Sequence, residues 1–324
     1  MSNQITGNGF NDFLEKQLPV FDEMLADDQI PLSIRPIYAA SYFVERCIIK
    51  IKGDNKENYF EKEWFRIIYQ LINKWYSERY ADGFKIKNDP SAIGVVLIHN
   101  TPFQLKIPLW VAQEREGNNC RWICMPISIL ENENVINWIQ NKPNMDKIAR
   151  DNLKSLTKSI SDLAESIRSI HINLKCEYPK IEIHKIAASI LTHLDKAVLD
   201  ILSLESSRIS NSYWETHLAL EKSIKLVVLQ DGGSNKKTHN LEELCKIANT
   251  IKGINLDYNS FLVFLSDKVA IQQRYGEGKS FTIQEAVKNY FNAAKVISTI
   301  TKQLKRPFDL KNIRLLIKQP NWAK

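Results

Sequence analysis

A mainly helical protein is predicted, with a small antiparallel β-meander in an otherwise helical N-terminal unit, a long αα-hairpin in the middle and a four-helix bundle near the C-terminal end. Three observations predict it. Apolar residues recur at steps of three and four over most of the chain, the signature of amphipathic helices. Only between Gly83 and Met125 does the pattern change to short β-rich runs broken by turn residues. From Asn144 onward the helical period returns and persists.

In the first eighty residues, Phe13, Leu14, Phe21 and Leu25 share one helical stripe, and Trp64, Ile67, Ile68, Leu71 and Trp75 share another, with Pro31 and Pro36 as punctuation between them. After Asp82-Gly83 come three β-rich runs, Ile93 to His99, Phe103 to Ala112 and Arg121 to Met125. Asn100-Thr101-Pro102 and Glu116-Gly117-Asn118-Asn119 separate them, so a three-stranded meander is expected. Pro102 and Pro108 cannot donate to a ladder, which places at least one of them at a strand end, bulge or edge. Leu153, Leu156, Ile160, Leu163, Ile167 and Ile170 then lie on one stripe of a long helix. Tyr178-Pro179 breaks the chain, and Ile186, Ile190, Ala197, Ile201 and Leu204 form a second stripe, which suggests two antiparallel helices in a hairpin.

Length sets the division. With 324 residues the chain exceeds what one core usually holds, and the patterns suggest units at 1–143, 144–206 and 207–306, followed by a basic segment at 307–324. Hydrophobic residues at 44% and charged residues at 25% exclude the composition of a disordered chain. No stretch is apolar enough for a membrane span, and the first residues lack the pattern of a signal peptide. Five scattered cysteines make a poor disulfide framework, so a reducing cytoplasm is the expected location. The net charge of +7 is concentrated: from Lys302 to Lys324 seven basic residues face the single acid Asp309, a local +6.

The C-terminal helices carry a more specific signal. Tyr213, His217, Leu220, Ile224 and Val227 share a face of one helix, which a Gly-Gly-Ser-Asn loop ends. Asn240 is placed to cap the next helix, with Glu243 positioned to reach back to its amide. Phe261, Leu262, Phe264, Leu265 and Val269 belong to a third helix ending at Arg274-Tyr275-Gly276, and Ile283, Val287, Tyr290 and Ala294 begin a fourth. This succession, with Leu220-Glu221-Lys222-Ser223-Ile224-Lys225 in the first helix, Thr238-His239-Asn240-Leu241-Glu242-Glu243-Leu244 opening the second and Arg274-Tyr275 after the third, resembles the HEPN family over about Arg208 to Arg306. The resemblance implies a compact helical bundle, often a homodimer, of a kind found in RNA-targeting toxins and antiviral defence. It also implies an activity in some members, in which an arginine and a histidine a few residues beyond it act across a dimer on RNA. Here Arg274 is followed by Tyr275-Gly276-Glu277-Gly278-Lys279-Ser280-Phe281, and no histidine occurs after His239. A ribonuclease of the usual family type is therefore not expected.

The remaining candidates each have a plainer structural reading. Cys120 and Cys124 lack a second ligand pair, so structural thiols are expected rather than a metal site, and no cofactor motif is present. His217 on an apolar face suggests a core histidine, and His171, His184 and His193 suggest partly exposed helical ones. Arg274, Lys279 and Ser280, with the start of the fourth helix, are candidates to hold an anion or nucleotide, because free amides and the helix dipole favour one there. Lys302, Lys305, Arg306, Lys311, Arg314 and Lys318 are candidates for nucleic-acid contact along a terminal helix whose apolar side is Leu310, Ile313, Leu316 and Ile317. A solvated basic helix with no partner is the alternative. Two functions follow: a non-catalytic binding or scaffold protein for nucleotide, RNA or a protein partner in a bacterial defence or toxin-antitoxin setting, or an atypical ribonuclease that uses Arg274.

Overall fold

The structure, a computed structural model, describes residues 7–84, 91–115, 120–174, 181–233, 238–257, 259, 267–275, 278–305 and 314–318. It divides into two units, Met1–Asp89 and Pro90–Lys324. The boundary falls well before residue 143, because the strands pack with the later helices.

The smaller unit holds α1 (Gly7–Asp27), α2 (Arg35–Arg46) and α3 (Glu63–Phe84). Pro36 opens α2, where the missing amide would have no helical partner in any case. Its core joins Leu14, Leu18, Phe21 and Leu25 of α1, Ala39, Ala40, Phe43 and Val44 of α2, and Phe65, Ile68, Ile72 and Tyr76 of α3. The expected α3 stripe is thus rotated by about one residue. Trp64, Leu71 and Trp75 are only partly buried and Ile67 is 52% exposed, while Phe65 and Tyr76 take the inward positions. Both stripes are apolar, and the sequence alone does not rank them.

In the larger unit β1 (Ser91–Ile98) and β2 (Thr101–Pro108) form an antiparallel hairpin. His99 and Asn100 turn it with φ of 49° and 62°, the left-handed pair that a two-residue type I′ turn requires. With Ile98 opposite Thr101 as the closing pair, Pro102 and Pro108 fall opposite Leu97 and Ser91, at positions that exchange no hydrogen bond with β1. Their missing amides therefore point to the outer edge, which explains why the ladder tolerates them. Gly94 lets α4 (Arg150–Leu174) approach this hairpin: an added Cβ would lie 3.1 Å from Ile107 and 3.3 Å from Leu163.

The expected single meander is two sheets. The run Phe103 to Ala112 breaks at Leu109-Trp110, and β3 (Val111–Arg115) pairs instead with β4 (Cys120–Cys124). The third strand of this second sheet is β5 (Arg314–Lys318), antiparallel to β4 with Arg314 opposite Cys124. The expected terminal helix is corrected here. Arg-Leu-Leu-Ile-Lys is a short apolar run that fits helix or strand, and the open edge of β4 decides for strand.

The remaining helices are α5 (Ile181–Leu202), α6 (Ser206–Gln230), α7 (Leu241–Ala248), α8 (Asp267–Arg274) and α9 (Ile283–Thr301). Of the third bundle helix, Phe261 to Leu265 lie outside the described residues. The expected α4–α5 hairpin does not form as a packed pair: α5 lies mainly along α6, α4 mainly along α9, and α4 and α5 touch little. The α4 stripe from Leu156 to Ile170 is buried as expected, but it faces the hairpin and α9. Leu204, placed on the second stripe, lies beyond α5 and is 57% exposed. Among the described residues no helix is long and apolar enough to cross a membrane.

One buried polar hub ties the loop 125–139 to this frame. Arg168 of α4 is fully buried; its Nε donates to the Pro108 carbonyl at 2.9 Å, its Nη1 to Ser128 O at 3.2 Å and to Glu133 at 3.0 Å, and its Nη2 also bonds Glu133. The guanidinium stacks over Trp138 at 5.1 Å.

Candidate functional site

The bundle's polar chemistry gathers on α6. A helix of 25 residues has room for several faces, and α6 buries apolar Leu220, Ile224 and Val227 while also burying Glu215 and Glu221. Buried carboxylates need partners. Glu221 has two: Lys225 Nζ, one turn on, at 2.7 Å, and His239 Nδ1, at the entrance to α7, at 2.9 Å. Glu215 meets His193 Nδ1 of α5 at 2.6 Å. A carboxylate only accepts, so each ring holds its proton on Nδ1 and keeps Nε2 as its other site. His193 is largely enclosed, with 12% of its side chain exposed, whereas His239 has 49%. Burial lowers the pKa of Lys222, and Lys196 and Lys225 add to that, while Glu221 and Glu215 oppose it. Trp214 borders the cluster, with its ring 6.0 Å from His217 and 6.5 Å from His239. His217 itself is buried, as expected for a core histidine.

Sequence reasoning passed over this cluster. His193 and His239 had no apparent connection to Glu215 and Glu221, and the signal that links them, a histidine beside an apolar-face glutamate on a neighbouring helix, needs the packing to be known. Burial pushes the Cys245 thiol up to about 12, so this buried cysteine is no nucleophile. On α5, partial desolvation of the carboxyl by its neighbours lifts Asp195 from 3.8 to about 6, although much of the residue's surface still meets solvent. A raised folded-state pKa means that the folded protein binds the proton more tightly, so stability falls as pH rises between about 4 and 6. Asp195→Asn should therefore raise the melting temperature at pH 7 and leave it unchanged near pH 4. The residue remains exposed overall, and solvent screening holds the gain to roughly 1 kcal/mol. Thermal unfolding at the two pH values checks this.

The expected sites are distributed differently. Arg274 ends α8, and its side chain lies outside what is described. Lys279 and Ser280 are exposed before α9. At the start of α9 the Thr282 and Glu285 amides are engaged by a complete capping box, and Lys279 lies 3.9 Å from the same Glu285. Of the basic residues, Lys302 is exposed beyond α9, Lys305 pairs with Asp231, and Arg314 and Lys318 are in β5. Arg306 and Lys311 lie outside the described residues. Cys124 is a buried strand thiol, 3.7 Å from the Val111 carbonyl.

A second feature is the groove between α4 and α9. A cleft of about 640 Å³ opens between the first halves of these helices and the β1–β2 turn, and a second of about 420 Å³ follows along their later halves. Both share Phe291 and Asn292. The two helices run parallel, since Asn152 and Gln284 line one end of this groove while Asn173 donates to Thr301 Oγ1 at 3.3 Å near the other.

The fold thus defines a helical bundle with an ion-paired polar face, abutting a small sheet. Residues 192–304, about the C-terminal third of the chain, match the family model of the HEPN domain. The match begins at Thr192 and takes in the second half of α5, the helix that packs on α6. No curated protein and no solved structure matches the chain significantly.

Proposed function

We propose that the protein is a non-catalytic HEPN-domain protein that pairs through its bundle and binds RNA or nucleotide, in a bacterial defence or toxin-antitoxin setting. The observation that carries this reading is the fate of the histidines. None follows Arg274 in the sequence, which is where the active members of the family place theirs. Chemistry on a ribose hydroxyl needs a proton acceptor near neutral pH, which in the family follows the arginine. Without it, binding remains as the use of the bundle, and Lys302 and Arg314 are exposed cations that a phosphate backbone can meet.

Light scattering on the purified chain at micromolar concentration should give a dimer mass. Filter retention of a single-stranded RNA should fall steeply with added salt. Replacing Lys302, Lys305, Arg306, Lys311 and Arg314 with glutamine should remove retention at low salt. A strict monomer that retains no RNA contradicts the proposal.

One observation favours the ribonuclease reading. His239, half exposed and held by buried Glu221, has the arrangement of a general base with an orienting carboxylate. Any test of catalysis therefore includes His239 as well as Arg274.

A further inference from the structure

From the α4–α9 cleft we infer a docking site for an extended peptide segment bearing one carboxylate, laid against the free edge of β1. This site is separate from the α6 cluster, and of the basic C-terminal candidates Lys302 lines only the far half of the groove.

The register of the hairpin supplies the first part of the argument. Ile98 and Thr101 close the turn as a hydrogen-bonded pair, so Ile98, Val96 and Gly94 direct their amides and carbonyls to β2, and Leu97 directs its own away from it. The outer edge of β2 confirms the alternation: the Gln104 carbonyl points outward and accepts from the Gln140 amide at 2.9 Å. On β1 the outward groups belong to Ile93, Val95 and Leu97, and Leu97 lines the cleft. Among the described residues no backbone partner meets them. An unpaired strand edge at the wall of a cleft is a template for an added strand.

The lining supplies the second part. Asn152, Ser155 and Ser159 of α4 face Gln284, Lys288 and Asn292 of α9 across the cleft. Amides and hydroxyls of this kind pair with both the donors and the acceptors of a peptide backbone. The volume of about 640 Å³ lies within the range of roughly 300–1,000 Å³ usual for ligand sites.

Charge decides between a peptide and a nucleic acid. Along the whole groove Lys288, Lys295 and Lys302 are opposed by Asp162 and Glu165, three cations against two anions. A strand of phosphates needs a larger surplus, since its affinity comes mainly from neutralising them. A single exposed lysine beside neutral amides, with the two acids confined to the far half, suits one carboxylate at the Lys288 end. The groove continues past Lys288 through Phe291 and Asn292, so the segment runs on and its carboxylate is an acidic side chain rather than a chain terminus.

Panning the full-length protein against random peptides displayed with a free C-terminus, and against the same library displayed internally, tests this and separates an acidic side chain from a chain terminus. Enriched peptides, remade with a fluorescent label, should share one carboxylate and bind Lys288→Glu at least about tenfold more weakly. Exchanging that acidic side chain for lysine should restore binding to Lys288→Glu. Lys288 is exposed, so the variant should fold, and Ser159→Trp fills the cleft from the opposite wall as a second block. Failure of the internally displayed library to enrich a peptide overturns the inference, as does equal binding to the parent and both variants. Displacement of bound peptide by single-stranded RNA at a cleft sensitive to Lys288→Glu would assign the groove to nucleic acid and overturn it equally.

Discussion

Replacing Arg168 with alanine should destabilise the larger unit by about 3–5 kcal/mol, the usual loss when one member of a buried ion pair is removed. The side chain is wholly buried, and its loss would strand Glu133, whose carboxylate is 6% exposed. It would also leave the Pro108 and Ser128 carbonyls without their donor and uncover Trp138. Glu133 additionally accepts from the Leu130 amide at 2.9 Å, so the loop 125–139 should loosen with it. Urea unfolding followed by circular dichroism measures the loss, and tryptophan fluorescence reports the change around Trp138. A double replacement, Arg168→Met with Glu133→Leu, should recover much of the stability, because it removes both charges together. A loss below about 1 kcal/mol in Arg168→Ala would show that the pair is no hub.

The second large effect is expected at Glu221. Its carboxylate, 4% exposed, compensates both Lys225, 12% exposed, and His239. Glu221→Ala should cost about 2–3 kcal/mol, below the full penalty of a buried pair because His239 reaches solvent. Glu221→Gln keeps the shape and one acceptor and should lose less. His239→Ala, at a half-exposed position, should cost under about 1 kcal/mol. The ordering Glu221→Ala, Glu221→Gln, His239→Ala, read from urea midpoints, distinguishes a carboxylate that stabilises the bundle from an incidental surface pair. Equal small losses in all three variants would contradict this account of α6.

Much of the fold was legible because period and capping are local. The α4 stripe from Leu156 to Ile170, the hairpin bounded by Asn100-Thr101-Pro102 and the start of α7 all follow from neighbours in sequence. Even there the detail shifted: Asn240 Oδ1 accepts from the Glu243 amide at 2.8 Å, but the Glu243 carboxylate takes the Thr238 hydroxyl rather than the Asn240 amide. The full capping box lies instead at Thr282 and Glu285, whose Thr-x-x-Glu spacing stands equally plainly in the sequence.

What was not legible depends on partners far away in the chain. Arg314 to Lys318 became a strand because β4, nearly two hundred residues earlier, offers an edge. Leu153 and its stripe predicted a helix but not the neighbour, and α9 rather than α5 lies beside it. The α6 cluster combines both difficulties, since His193, Glu215, Glu221 and His239 come from three stretches that only packing assembles. Of the basic C-terminal residues, Lys302 follows α9 while Arg314 and Lys318 lie in β5.

The central proposal is that the bundle matching the HEPN family model does not cut RNA. Purified full-length protein incubated with total RNA, beside Arg274→Ala and His239→Ala, tests it most directly. The account predicts that RNA incubated with the parent and both variants stays intact and indistinguishable from RNA incubated alone. Cleavage by the parent that is lost in either variant would contradict it.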